Sequence, residues 1–328
     1  MGPMPALERE QLILRLNEVY HDLENQSYDG KHPDISDEEA PRWQRLGSRL
    51  LARPRGDWRI LDIGTGTGFV PLQLLPGLGP GDIFTCSDLS AAMLEACRAN
   101  LRQAGFPCAI DLLKLDGKHI DLPDASQDAV TINAVMHHLP DPEAMCREIN
   151  RVLKPGGAVL IGHEPNSAHF RRALLVWNYW LVLPLADWKL FGYEMILKLG
   201  LFETLRVPLG RLLPELGRHN DLLRAVNARL LAEGAVDKAL GAAELSSMLD
   251  AQSPTAGGRH EDRGFTREGF LAWFPGYAME HCETYKHLNK IHPGRAWLKR
   301  YEDWLARRFP ADGSSLFCCL RKPGGAGV

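Results

Sequence analysis

An apolar run, Arg59-Ile60-Leu61-Asp62-Ile63, carries an acid near its end and passes directly into Gly64-Thr65-Gly66-Thr67-Gly68. Glycines at alternate positions let the backbone turn sharply and approach a ligand with no Cβ in the way, and a helix starting there offers free N–H groups. A nicotinamide fingerprint would put a small residue three positions after Gly66; Phe69 stands there, which weakens a dinucleotide reading. No Gly-Lys-Ser/Thr follows, which excludes a phosphate-binding P-loop. Asp88 closes the next apolar run, where a carboxylate can accept hydrogen bonds from both hydroxyls of an adenosine ribose. Asp116-Gly117 closes the third, placing a second acid where an adenine amino group could be read. One such Asp alone is more often a turn residue or helix cap. Together they fall at the ends of consecutive strands, on one edge of a sheet.

Acid–base chemistry has four candidates near strand ends: His137, His138, His163 and Glu164. The pair His163-Glu164 follows the fifth strand and is favoured for an acceptor-side base, against the alternative that it caps the helix after Pro165. His137 is a second candidate base, and His138 is read as packing against a bound ligand. Tyr28, in the turn Tyr28 to Pro33, either closes over that ligand or is a surface turn residue. The aromatics Trp177, Tyr179, Trp180, Trp188, Phe191 and Tyr193 are helix-packing residues first and hint at an apolar pocket second. No metal site is expected. His260, Glu261 and Asp262 lack a partner at ligand spacing, and the seven cysteines form no CxxC pair. Those cysteines are expected to be reduced and mostly buried, with Cys318-Cys319 inside a strand.

The elements that must hold these residues alternate regularly. Strands are predicted at 59–63, 82–87, 109–115, 129–133 and 158–162, with helices near 68–76, 90–104 and 141–153. Helix 141–153 is well marked: Asp141-Pro142-Glu143 opens it and Lys154-Pro155-Gly156-Gly157 closes it. Residues 116–127, rich in Asp, Gly and Pro, read as a loop on the ligand-binding edge. After a helical stretch, 265–274, a strand near 279–288, a helix 294–309 and a strand 315–321 complete a seven-stranded, mostly parallel, doubly wound α/β sheet. The division expected is an N-terminal helical cap (1–56), a ligand-binding core (57–165), a helical lid or insertion (166–262) and the completion of the core (263–328). Leu174 to Ala186 is intensely apolar but shorter than the roughly 20 residues that span a bilayer.

With 45% hydrophobic and 24% charged residues in a 328-residue chain, the composition is that of a globular protein. A formal charge of -3 argues against a large nucleic-acid footprint. The first residues never build the apolar core of a secretory signal, so a cytoplasmic location is expected. A peripheral membrane contact and a homodimer stay open.

The segments LDIGTGTGF, SDLS, LDGKHIDLP and DAVTINAVMHHLPDPEAMCREINRVLKPGGAVLIGHEP resemble class I S-adenosylmethionine-dependent methyltransferases of the ubiquinone/menaquinone-biosynthesis type, over roughly residues 57–165. The resemblance implies a Rossmann-like methyltransferase fold. It also implies S-adenosyl-L-methionine as cofactor, with S-adenosyl-L-homocysteine as product. Gly64 to Gly68 would then hold the methionine part, Asp88 the ribose, Asp116 and Gly117 the adenine side, and Asn133-Ala134 the region near the sulfonium. The full cofactor set so implied is Tyr28, Asp62, Gly64, Thr65, Gly66, Gly68, Asp88, Leu89, Met93, Asp116, Gly117, Asn133, Ala134 and His138. The insertion after Pro165 departs from the smallest relatives, so no acceptor can be carried over. Asn133-Ala134-Val135-Met136 stands where amino-methylating enzymes carry Asp/Asn-Pro-Pro-Tyr/Phe, which favours O- or C-methylation of a small, hydrophobic acceptor. Two other readings stay open. One is different chemistry with the same cofactor; the other is a non-catalytic module whose insertion binds a protein or a membrane surface.

Overall fold

The computed structural model describes residues 6–25, 38–52, 57–198, 214–255 and 263–324. The chain begins with α1 (Ala6–Glu24) and α2 (Ala40–Leu51). The core then runs β1 (Arg59–Ile63), α3 (Phe69–Leu74), β2 (Ile83–Asp88), α4 (Ala91–Gln103), β3 (Ala109–Lys114), β4 (Gln127–Asn133), α5 (Pro142–Val152) and β5 (Leu153–Pro165). There follow α6 (Ser167–Arg171), α7 (Ala173–Ala186), α8 (Trp188–Lys198), α9 (Pro214–Ala232) and α10 (Ala242–Leu249). The chain closes with α11 (Arg267–Trp273), β6 (Ala278–Tyr285), α12 (Ala296–Arg308) and β7 (Ser315–Arg321).

The seven strands form one mostly parallel sheet in the order β3-β2-β1-β4-β5-β7-β6, as the alternation in the sequence predicts. β1 is paired on one side with β2 (Ile60 with Phe84) and on the other with β4 (Ile60 with Ala129). These central strands have helices over both faces, so their residues are near-continuously apolar: Ile60, Leu61, Phe84, Val130 and Ile132 are buried. The strand order reverses between β1 and β4, and the carboxyl ends of the strands at such a reversal open a crevice between diverging loops.

Local signals explain most boundaries. The Asp141 carboxylate accepts from Ala144 N at 2.9 Å, and Pro142 opens α5 where no N–H is needed. Ser90 Oγ accepts from Met93 N at the start of α4. β5 is longer than expected: Lys154-Pro155-Gly156-Gly157, predicted as a terminating turn, is the first part of the strand. Gly156 takes φ +75°, Gly156 N donates to Pro323 O at 3.1 Å and Lys322 N donates to Gly157 O at 2.9 Å. Helix 68–76 is shorter than predicted, ending at Leu74 with a 3-10 turn over Leu75–Gly77. The predicted loop after β3 carries no helix or strand until β4.

The chain divides into two compact units, one of residues 1–164, 267–282 and 317–328, the other of residues 165–266 and 283–316. In the second unit Leu175, Tyr179 and Leu183 of α7 form a core with Leu288, Ile291, Leu298 and Leu305. Asn166 Nδ2 donates to Ala311 O and Gly313 O there, and His169 Nδ1 lies 2.8 Å from Asp312 O. Glu302 accepts from His287 N and Leu288 N, capping that turn. Among the described residues no helix is long and apolar enough to cross a membrane.

Candidate active site

In the first unit a cavity opens at the carboxyl ends of β1, β2, β3 and β4, where a doubly wound sheet places its ligands. The glycine turn after β1 forms its floor. Gly64 takes φ +67°, and a Cβ there would lie 2.2 Å from Val135 Cγ2. Gly66 takes φ +52°, and a Cβ on it would meet nothing within 4 Å, so the backbone faces open space where a ligand can approach closely. Gly68, at φ +99°, stands at the N-terminus of α3.

Asp62 lies beneath this turn and is buried. Thr131 Oγ1 donates to its Oδ1 at 2.6 Å, while Oδ2 has no hydrogen-bond partner. Burial pushes the Asp62 carboxyl up to about 7, against hydrogen bonds from Thr131 and Thr65 that pull it down, and the charge of Asp88 adds a smaller push. Asp88 Oδ2 accepts from Gly66 N at 2.9 Å and Oδ1 accepts from Ser90 N at 2.8 Å. Burial raises its carboxyl to about 6, opposed by the backbone N–H groups of Ser90, Gly66 and Leu89. The carboxylate, with about four lone-pair sites, keeps acceptor capacity for a further donor.

The remaining walls bring together most residues read from the sequence. Leu89 and Met93 line the side after β2, Gly117 the side after β3, and Asn133, Ala134 and His138 the side after β4. Ala134 takes φ +58°, a left-handed conformation held by Ala134 N donating to Gly162 O. Asn133 Oδ1 accepts from Trp43 Nε1 at 2.9 Å. Thr65 is buried, its hydroxyl 3.7 Å from Cys97 Sγ, and does not line the cavity. Asp116 is exposed, and its Oδ1 accepts from Lys118 N and His119 N, so it caps its own turn instead of reaching the wall. Tyr28 lies outside the described residues, as do His260, Glu261 and Asp262.

The acid–base expectation requires correction. Glu164 is fully buried; its carboxylate accepts from Val135 N at 2.9 Å, Met136 N at 2.8 Å and His137 N at 3.1 Å, and lies 2.9 Å from His137 Nδ1. Both oxygens are spent on bracing the turn after β4, so Glu164 positions the cavity wall and has no free acceptor for a substrate proton. His137 is tied to it. His163 Nδ1 lies 2.8 Å from Glu39 Oε1, and the residue is outside the cavity lining. Glu164→Gln would turn an NH2 toward backbone N–H donors. It should cost about 2–3 kcal/mol, measured by urea denaturation; a loss under about 0.5 kcal/mol would show that the turn does not rely on the carboxylate.

A wall not anticipated comes from α1, whose Leu14, Asn17 and His21 face the cavity. α1 is held by Lys114–Glu18 at 2.7 Å, Lys118–Glu10 at 3.4 Å and Ser90 Oγ donating to Asp22 Oδ1 at 2.6 Å. Asn17 is buried, and its Nδ2 donates to Ile13 O at 3.0 Å. A carbonyl can only accept, so this bond fixes the amide's orientation and leaves Oδ1 as a buried acceptor without a partner. The His21 ring packs edge-on against His138, with centroids 5.6 Å apart. The signal in the sequence was an Asn among apolar residues, at helical spacing from Leu14 and His21.

Comparison with known proteins points to one family of sequences. Residues 61–161 match the methyltransferase domain family. A ubiquinone/menaquinone biosynthesis C-methyltransferase of Pseudomonas paraeruginosa is 29% identical over 177 residues, 53% of this chain and 68% of that one. A 2-phytyl-1,4-naphtoquinone methyltransferase of Synechococcus elongatus is 29% identical over 53% of this chain and 72% of its own. Among solved structures, a SAM-dependent methyltransferase of Aquifex aeolicus covers 39% of this chain and 73% of its own at 23% identity, with TM-score 0.32. Over residues 61–161 the chain carries a methyltransferase domain, the signature of an S-adenosylmethionine-dependent methyltransferase. Over about half of its length it is similar to ubiquinone/menaquinone-biosynthesis enzymes.

Proposed function

We propose that the cavity binds S-adenosylmethionine through Asp88, Asp62 and the Gly64–Gly68 turn, and that the enzyme methylates carbon or oxygen of a small, hydrophobic, quinone-like acceptor. The observation that carries this reading is the open approach at Gly66 in a cavity that Asn17 lines with its unpartnered Oδ1, while Asp62, whose Oδ2 is also without a partner, lies buried behind the glycine turn and outside the cavity lining. They fit the group. An ammonium matches the Asp62 carboxylate, a ribose hydroxyl matches the remaining acceptor capacity of Asp88, and Leu89 and Met93 pack on an aromatic base. When bound, the cofactor supplies a methyl group on a sulfonium sulfur, already a strong electrophile.

The protein's own part is alignment and exclusion of water. The turn after β4, braced by Glu164, sets Ala134 and His138 beside the acceptor end. Among the described residues the imidazoles that line the cavity are His21 and His138, groups able to take a proton from a hydroxyl or ring carbon. The quinone class is suggested by two relatives, a C-methyltransferase of ubiquinone/menaquinone biosynthesis and a 2-phytyl-1,4-naphtoquinone methyltransferase. Seven unbridged cysteines fit a reducing, cytoplasmic setting.

Asn17 takes the adenine role that the sequence suggests for Asp116: its Oδ1 accepts from the exocyclic amino group. Asn17→Ala should weaken S-adenosylhomocysteine binding by about tenfold while leaving the S-inosyl analogue, which lacks that amino group, unchanged. Calorimetric titration of both ligands reads this directly. Equal losses for the two would remove Asn17 from base recognition. Incubation with the labelled cofactor and a panel of hydroquinones and phenols tests the acceptor, and methylation only of amines or proteins would overturn it.

A further inference from the structure

We infer that the second unit docks on an anionic lipid surface through the outer face of α7. This helix is apolar on every side, yet only one side is covered. Leu175, Tyr179, Val182 and Leu183 are buried in the unit's core. On the other side Leu174 is 61% exposed, Trp177 69%, Leu181 70% and Leu185 68%, and Trp188, which opens α8, is 72% exposed. Steps of three and four residues put the four α7 side chains in one stripe. Such a contiguous stripe of large apolar groups on a folded unit marks a surface that something covers.

The stripe continues onto α12. Tyr301 Oη donates to Asn178 Oδ1 at 2.5 Å and Arg295 Nη1 donates to Leu185 O at 3.2 Å, which sets α12 beside α7. Trp297 and Trp304 of α12 are 44% and 49% exposed, and Trp304 stacks on Tyr301. Of the eight tryptophans in the chain, the four that expose this much surface all belong to this unit, on these elements.

The rim chooses between occupants. Exposed Arg171 precedes α7, exposed Lys189 follows Trp188, and α12 adds exposed Arg300, Arg307 and Arg308. The acids nearby are mostly engaged: Glu302 caps His287 N and Leu288 N, and Asp187 accepts from Lys189 N and Leu190 N. Tryptophans and aliphatic side chains surrounded by basic groups are what partitions into the headgroup–acyl boundary of an anionic leaflet. α7 has 14 residues, too few to span a bilayer, so the contact lies along the surface. The inference rests on this unit alone and is independent of the methyl-transfer reading.

The test is sedimentation of the full chain with vesicles of pure phosphatidylcholine and of phosphatidylcholine with phosphatidylglycerol, alongside a Trp177→Ser/Leu181→Ser double variant. Both positions are exposed, so the variant should keep the wild-type melting temperature. The wild type is expected to partition onto the anionic vesicles and the variant to lose about tenfold or more of that partitioning. Failure of the wild type to bind either vesicle overturns the proposal. So does a wild-type dimer, seen by light scattering, that the double variant dissociates, since the occupant is then a second copy. Equal binding to both vesicles overturns the role given to the basic rim.

Discussion

Asp88→Ala is expected to weaken S-adenosylhomocysteine binding by about 10- to 100-fold, because a hydrogen bond to a carboxylate is lost, worth about 1.5–3 kcal/mol. The same substitution removes the acceptor of Gly66 N and Ser90 N, so the glycine turn also loses its brace. Calorimetry at constant pH measures the first effect, and comparison of melting temperatures separates it from the second. Asp88→Asn keeps one acceptor toward the turn and should fall between wild type and alanine. Binding unchanged in Asp88→Ala would remove the ribose assignment altogether.

The second large effect is expected at Asp62, where stability and binding should move in opposite directions. Its folded pKa, about 7, stands above the unfolded value near 3.9. The native state therefore holds the proton more tightly, and this group's contribution to stability is present below about pH 4 and lost as pH rises through about 7. Asp88, raised to about 6, acts in the same direction. The ligand-free enzyme should thus lose stability between about pH 4 and pH 7 from these two groups, while ligand affinity rises over pH 6 to 7 as both carboxylates ionise. Asp62→Asn removes the buried charge. The ligand-free variant should melt above wild type at pH 8, with the difference closing toward pH 5. Its affinity for S-adenosylhomocysteine should fall about 10- to 100-fold as the ammonium loses its partner. Thermal melts and titrations across pH check both halves, and a variant with wild-type affinity at pH 8 would refute the ammonium contact.

The sheet was legible because its central strands are buried on both faces and flanked by well-signalled helices. Arg59–Ile63 and Ser315–Arg321 emerge at their predicted bounds, and Cys318 and Cys319 are buried in the last of them. The start of β5 was hidden by turn chemistry: Pro155-Gly156-Gly157 has the composition of a loop, and only pairing with the segment around Lys322 makes it strand. Glu164 misled for a related reason. An acid just past a strand end has the same address whether it faces substrate or caps a turn, and only its burial against three backbone donors separates the two. Asp116 shows the converse, an acid at the expected strand end whose side chain turns back on its own loop.

The role of α1 was not readable, since helical spacing predicts that Leu14, Asn17 and His21 share a face but not which surface that face meets. The stripe on α7 was equally hidden. In Leu174 to Ala186 nearly every residue is apolar, so periodicity cannot distinguish the side that enters the core from the side left in solvent.

The central claim is the identity of the ligand at the Gly64–Gly68 turn, and titration of the purified protein with S-adenosylmethionine, S-adenosylhomocysteine and NADH tests it most directly. Saturable binding of both sulfur nucleosides at one site, with none for NADH, is the predicted result. Binding of NADH in place of the sulfur nucleosides would contradict the account.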